Sequence, residues 1–330
     1  VAEVIALSDV LAGADELLRA GRSPAGRVWA TGFDPLDAYL GGGLRSRELT
    51  LLAGPQGLGK TTFATQIARN TVAAGRPALL FSFEHDATTL LERFVALEAG
   101  ITHGIDAVQL RRVREAMEAA EAGSGLAERL QGAPGAAEAV AAVSSYGSRL
   151  FLHRSSGGTT TLEVIAEEVR AVVAATGEAP LVVIDYLQKV AAPEAQDGVD
   201  LAEHIVEGLK DLSLDLDLPV LAIVAADMEG VREGRRMMIH HMRGSSALAY
   251  EADLILVMND KFDVVARHHL VYNTGNAERF RDFVVISIEK NRTGLDSIDL
   301  EFRKRFEQGR FETDGSPVGE QLVDERVFVE

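Results

Sequence analysis

The sequence predicts an α/β fold: a mainly parallel central sheet with helices on both faces and an antiparallel C-terminal extension. Three observations predict it. From Thr31 onward, short apolar strand candidates alternate with amphipathic helical stretches. A glycine-rich loop, "LLAGPQGLGKTT" at 51–62, stands between a strand and a helix. After Asp253 the strand candidates crowd together, with a turn signal in "KNRTG" at 290–294.

Composition narrows the class. The 330 residues are 47% hydrophobic and 25% charged, ordinary for a folded protein. There is no cysteine, which excludes disulfides, thiolate metal sites and thiol nucleophiles and fits a cytoplasmic setting. No N-terminal stretch has the basic, apolar, small-residue order of a signal peptide. The longest apolar runs, such as "PVLAIVAA" from Pro219, are too short to span a bilayer, so no membrane association is expected. The net charge of −17 argues against a broad phosphate-binding surface, although a local basic groove needs only a few well-placed cations.

Taken in order, Leu7, Val10, Leu11, Ala14, Leu17 and Leu18 form one apolar helical stripe, with Ser8 near its start and Gly21 after its end. The segment "GRSPAGR" at 21–27 then reads as a linker. The stripe must dock on its own domain or on a neighbouring subunit, and the sequence leaves both open. Strands are expected at 48–53, 78–83, 181–185, 219–226, 253–258 and 283–289. Helices are expected at 61–74, stopped by Gly75, and at 161–175, followed by Gly177. The Ala- and Gly-rich stretch 118–146 reads as helices joined by loops. In the last part, "RHHLVYN" at 267–273 reads as a strand, and 290–294 as a hairpin turn.

The chemistry starts at the glycine-rich loop. Gly54, Gly59, Lys60 and Thr61 fit G-x-x-x-x-G-K-[ST]. The expected nucleotide-binding loop is Gly54, Pro55, Gln56, Gly57, Leu58, Gly59, Lys60, Thr61 and Thr62. Its glycines let backbone N–H groups turn inward around phosphate oxygens, and the following helix points its positive end at the same anion. Lys60 reaches the β- and γ-phosphates, and the Thr61 hydroxyl joins a Mg²⁺ shell. In "LVVIDYLQ" at 181–188, a buried strand ends in Asp185, an acid placed to support the metal through water; a simple turn cap is the competing role. In "LLFSFEHD" at 79–86, a second apolar strand ends in Glu84. Parallel sheets gather ligand sites at the carboxyl ends of strands, so Glu84 can share the site and activate water, with Asp86 as competitor.

At this point the chain resembles the RecA-like C-terminal ATPase domain of DnaB-type replicative helicases, which are P-loop NTPases. The residues that carry the resemblance are "TGFDPLDAYLGGGL", "FSFEHDATTLLERFVALEAGI", "LVVIDYLQ", "YEADLILVM" and "ISIEKNRTG", in the family's order and at about its spacing. The resemblance implies an ATP- and Mg²⁺-dependent hydrolase that assembles as a homo-oligomer, a hexamer in the family, and acts on single-stranded DNA. It implies a division into a linker helix and linker (1–27), the ATPase domain (28–312) and a tail (313–330). Glu84 matches the catalytic glutamate and Asp185 the magnesium-holding aspartate. Lys290 and Arg292 match the basic pair that reaches into the neighbouring subunit's site, a contribution worth roughly 10³–10⁵ in rate. The first helix matches the linker helix that docks on the adjacent subunit.

The segment "EGVREGRRMMIHHMRG" at 229–244 lies where the family places loops facing the central pore, so Arg232, Arg235, Arg236 and Arg243 are the candidate DNA contacts; a surface loop whose arginines pair with nearby acids is the alternative. The pairs His240–His241 and His268–His269 lack the spacing or cysteine partners of a zinc site. One departure matters: where the family carries a polar Ser-Gln pair that senses the γ-phosphate, this chain has Val224 and Ala225. Neither side chain can hydrogen-bond. A ring-forming ATPase acting as a scaffold or switch therefore stands beside the motor reading; a small-molecule kinase finds no support in any acceptor-site motif.

Overall fold

A computed structural model describes residues 4–21, 24–119, 122–193, 198–227, 235–271 and 274–325. Among the described residues the main sheet has ten strands, nine of them in one path: β1 (Leu49–Gly54), β2 (Ala78–Ser82), β3 (Leu150–Arg154), β4 (Leu181–Asp185), β5 (Val220–Ala225), β6 (Leu254–Asp260), β7 (Phe283–Asn291), β8 (Ile298–Arg305) and β9 (Arg310–Phe311). Their spatial order is β9-β8-β7-β6-β1-β5-β4-β2-β3, and Ser316–Pro317 adds to β8. The six strands from β6 to β3 pair in parallel, and β6–β7, β7–β8 and β8–β9 pair antiparallel. This is the mainly parallel sheet with an antiparallel extension that the sequence predicts.

The main helices are α1 (Leu7–Arg19), α2 (Lys60–Ala73), α3 (Ala87–His103), α4 (Leu110–Glu118), α5 (Ala136–Tyr146), α6 (Leu162–Thr176), α7 (Gly198–Asp215) and α8 (Ser245–Glu251), with further short helices elsewhere, Thr274–Arg281 among them. Alternation along each strand decides which helix it meets. Leu52, Leu80, Val183, Leu221 and Leu256 face the α2 side, packing with Phe63 and Ile67. Their neighbours Leu51, Leu79, Val182, Val220 and Ile255 face the other side, against Ile165 and Val169 of α6 and Ile205 and Leu209 of α7. A third cluster joins α3, α4 and α5 through Val95, Ala99, Val113 and Ala139. No helix among the described residues is long and apolar enough to cross a membrane.

Two local readings change. "RHHLVYN" does not make a strand: Arg267–Val271 is helical, and residues 272–273 lie outside those described. The reason is pairing. β6 already bonds β1 along one edge and β7 along the other, so the connection between β6 and β7 has no edge to join. Conversely β3 escapes the sequence reading, because it is a five-residue, half-buried edge strand with a weak apolar signal. The turn at 290–294 does join two antiparallel strands, β7 and β8. Within 313–325 the chain lies against the body: Glu320 pairs with Lys261, and Leu322 bridges Val265.

No residue of α1 is buried; Leu7 is 82% exposed and Leu11 65%. Among the described residues its apolar stripe is left largely uncovered. The interior on the α2 face is held by a phenylalanine cluster in which Phe63, fully buried, stacks on Phe33 at 4.3 Å and meets Phe311 edge-on at 5.8 Å. Truncating it leaves a cavity directly under the phosphate loop. Phe63→Ala is expected to cost about 3–5 kcal/mol, read as a lowered urea midpoint at unchanged m-value.

Candidate functional site

β1, β2 and β4 all end at the same edge of the sheet, and a cavity of about 580 Å³ opens there. It is lined by Gly54, Gln56, Gly57, Gly59, Lys60, Thr61 and Thr62 from the loop and α2, by Glu84 after β2, and by Asp185 at the tip of β4. Of the predicted loop residues, Pro55 and Leu58 do not face it. The Pro55 carbonyl accepts a hydrogen bond from Lys60 Nζ at 2.7 Å, as does that of Gly54, and Leu58 packs on the core. Gly59 enters α2 at φ +87°, and a Cβ there would lie 2.8 Å from the Phe306 ring, so only glycine fits. Gly57 likewise has a positive φ of +79°.

The groups fit a nucleotide phosphate and its cation. Thr61 Oγ1 donates to Asp185 Oδ2 at 2.7 Å, so two hard oxygen ligands already converge. Burial raises the Asp185 pKa, with the Glu84 charge adding to the rise, while the Thr61 hydrogen bond and the His85 and Lys60 charges oppose it. A buried carboxylate in that state gains from a divalent cation. Burial pushes the Lys60 ammonium down to about 8 against the pull of Asp185 and Glu84. Asp86 does a different job: its carboxylate caps α3, accepting from Thr89 N at 2.7 Å, and it is not among the residues lining the cavity.

Three lining residues carry no local motif. Arg93 of α3 faces the cavity with its Nε buried and without a hydrogen-bond partner among the described residues, and desolvation lowers its pKa. Leu110 and Phe306 supply an apolar wall. Arg93 lies on the helix that Asp86 caps, a local signal that could have placed it near Glu84; Phe306 follows only from the β8–β9 turn folding over Gly59. A fourth residue, Gln188, sits just after β4. Its Oε1 accepts from Ala225 N at 3.1 Å and its Nε2 donates to the Arg243 carbonyl at 3.4 Å, while Arg243 N donates to Ala225 O at 3.1 Å. An amide thus stands at the end of β5, where Val224 and Ala225 offer no side-chain hydrogen bond.

Lys290 and Arg292 are not brought to this cavity. Asn291 pairs with Leu254 at the start of β6, and Arg292 N donates to Asp253 O at 2.9 Å. That is the level of Leu49, the first residue of β1, whereas the phosphate loop leaves the other end of the strand. At about 3.3 Å per residue the two ends lie about 16 Å apart. Among the predicted arginines, Arg232 lies outside the described residues. Arg235 pairs through its backbone with Glu325. Arg236 is mostly buried and bonds Asp299 at 2.5 Å and Ser287 at 3.0 Å. Arg243 is exposed.

A phosphate loop at the end of a central parallel strand, with an acid at the tip of β4, defines a P-loop nucleotide-binding protein. The comparisons narrow it: residues 29–312 match the family described as DnaB-like helicase C terminal domain, and the chain belongs to that family. The replicative DNA helicase DnaB of Pasteurella multocida is 28% identical over 283 residues, 84% of this chain and 54% of the relative. That of Haemophilus influenzae is 27% identical over 288 residues, 84% and 53%. The chain thus spans about half the length of these relatives. A solved ATPase domain covers 94% of this chain and 99% of its own at 21% identity and TM-score 0.72. A solved DnaB-like replicative helicase covers 94% and 67% at 20% identity and TM-score 0.70. The two structures agree in fold.

The Lys60 shift has a measurable consequence. The ammonium binds phosphate only when charged, and it discharges as pH rises through about 8. Affinity for a nucleoside triphosphate is expected to be flat below that pH and to weaken toward tenfold per unit above it, read by fluorescent-nucleotide titration.

Proposed function

We propose that the chain is an ATP-hydrolysing motor domain that works as a homo-hexameric ring on single-stranded DNA. The observation that carries this reading is the convergence of Lys60, Thr61, Asp185 and Glu84 on one cavity at the carboxyl ends of three parallel strands. Lys60 and the N-terminal amides of α2 hold the phosphates. Thr61 and Asp185 would hold Mg²⁺, which supplies charge neutralisation at the β- and γ-phosphate oxygens when bound. Glu84 is exposed on the cavity wall and takes the proton from the attacking water. Arg93, in the same chain, adds a cation facing the phosphates.

The placement of Lys290 and Arg292 supports a shared site. They stand at the opposite sheet edge from their own phosphate loop, so any phosphate they reach belongs to another subunit. The exposed stripe of α1 favours the same assembly, as a surface for the adjacent subunit. Arg243, with Arg235 and Arg232, is our candidate DNA contact. Arg236 serves the fold through its pair with Asp299.

A second reading, a ring-forming scaffold or switch, is favoured by Val224 and Ala225 and by the net charge of −17. Binding of oligo-dT titrated against salt separates the two. The motor should bind in an ATP-dependent way and lose affinity steeply as salt rises; no binding at low salt selects the scaffold. For hydrolysis itself, Glu84→Ala is expected to reduce turnover by about 10²–10⁴-fold while ATP still binds. Retained turnover would remove Glu84 from the mechanism.

A further inference from the structure

The two cations at the β7–β8 turn are not loose. Lys290 Nζ donates to the carbonyls of Ala249 at 2.7 Å and Tyr250 at 3.1 Å, and Arg292 Nη2 donates to that of Tyr250 at 2.5 Å. These belong to the last turn of α8, whose final carbonyls have no partner within the helix. The Leu248 carbonyl is taken by Ala252 N, so the two side chains complete the C-terminal cap and complement the negative end of the dipole. Below them sits Asp253, its side chain 8% exposed against 46% for Arg292. Its Oδ2 accepts from Leu49 N at 2.8 Å and from Lys210 Nζ at 2.7 Å, and its Oδ1 faces Arg292 Nη1 at 3.4 Å. One carboxylate therefore ties the arginine tip to the foot of β1.

We propose that Asp253 is the positioning residue for the trans-acting cations: it fixes the Arg292 guanidinium relative to β1 so that the tip meets a neighbouring subunit's triphosphate in one orientation. The inference rests on the reading that 290 and 292 act between subunits. Arginine carries five donors, and the contacts to Asp253 and Tyr250 use only part of them, so the remaining N–H groups stay available to phosphate oxygens. An unanchored arginine would lose rotamer freedom on each catalytic cycle; a guanidinium held on two sides has already lost it. Arg243, two residues before α8, lies at the other end of the same short helix, so the candidate DNA contact and the cations flank one element.

The test is Asp253→Asn. The amide oxygen can keep the place of Oδ2 toward Leu49 N and Lys210, which leaves the NH₂ group facing Arg292, donor against donor. The variant is expected to bind ATP as the wild type does, with unchanged KM and kcat lowered about 10²-fold, the scale of a misplaced catalytic group. Arg292→Ala should lose more, roughly 10³–10⁵-fold. Asp253→Glu, which restores the anion, should recover part of the rate; it also serves if the asparagine variant is unstable. Mixed assemblies then distinguish positioning from folding. Asp253→Asn subunits have sound loops and poor tips, and Lys60→Ala subunits the reverse, so reassembling the two inactive preparations should restore turnover. Asp253→Asn mixed with Arg292→Ala should stay inactive. Wild-type turnover in Asp253→Asn, or no recovery with Lys60→Ala, overturns the inference while Arg292→Ala remains inactive. Full turnover in Arg292→Ala overturns the shared-site reading itself, and the inference with it.

Discussion

The parallel register of β1 and β6 is the constraint on which the rest of the structure depends. It sets Leu49 beside Asp253 at one edge of the sheet and Gly54 beside Met258 at the other. Strand polarity then does the sorting. Everything that leaves a carboxyl end of β1, β2 or β4 meets at the phosphate cavity, and the last residues of the returning antiparallel β7 are carried to the opposite end. A single chain with this topology cannot bring its phosphate loop and its 290–292 turn together. The sheet is buried on both faces, so a slip of one residue would send every inward side chain to the wrong layer. The register is therefore held as firmly as the core itself.

Electrostatics follow from that geometry. The −17 net charge is a sum over the whole chain and does not set the balance at the site. Within the cavity the local balance is set by Lys60 and Arg93 against Asp185 and Glu84, all within a partly desolvated space where charges are felt more strongly than in bulk water. Both cations there are pushed toward neutrality by burial, and Asp185 is pushed the same way. An anionic phosphate beside Lys60 and Arg93 would favour their charged forms and oppose the effect of burial. At the other edge, Asp253 is compensated by Lys210, Arg292 and a backbone N–H, a satisfied arrangement that holds its shape without a ligand.

The link between the two edges runs through short elements. Gln188 joins the end of β4 to the end of β5 and to Arg243; α8 continues from Arg243 to the carbonyls that hold Lys290 and Arg292. These are contiguous hydrogen-bonded contacts between the nucleotide cavity, the arginine segment and the far turn. They show which atoms would have to move together if occupancy at one place were felt at another.

How much was legible in the sequence divides by distance along the chain. The phosphate loop, the acids at 84 and 185, the helix after Gly59 and the hairpin at 290–294 are local patterns, because a turn, a cap or a strand end is fixed by residues within a few positions. The same locality misled at "RHHLVYN", whose β-like composition was overruled once both edges of β6 were taken, and it missed β3, whose partner lies on β2. Arg93, Phe306, Gln188 and Asp253 acquire their roles only when strands far apart in sequence are laid side by side: Leu49 and Asp253 are 204 residues apart, and Gln188 and Arg243 are 55. The sequence by itself determined the parts and their chemical character. The tertiary structure decided which parts share a cavity and which are carried to the far end of the sheet, because strand order and polarity are set by packing both faces of one sheet at once and no local pattern encodes them.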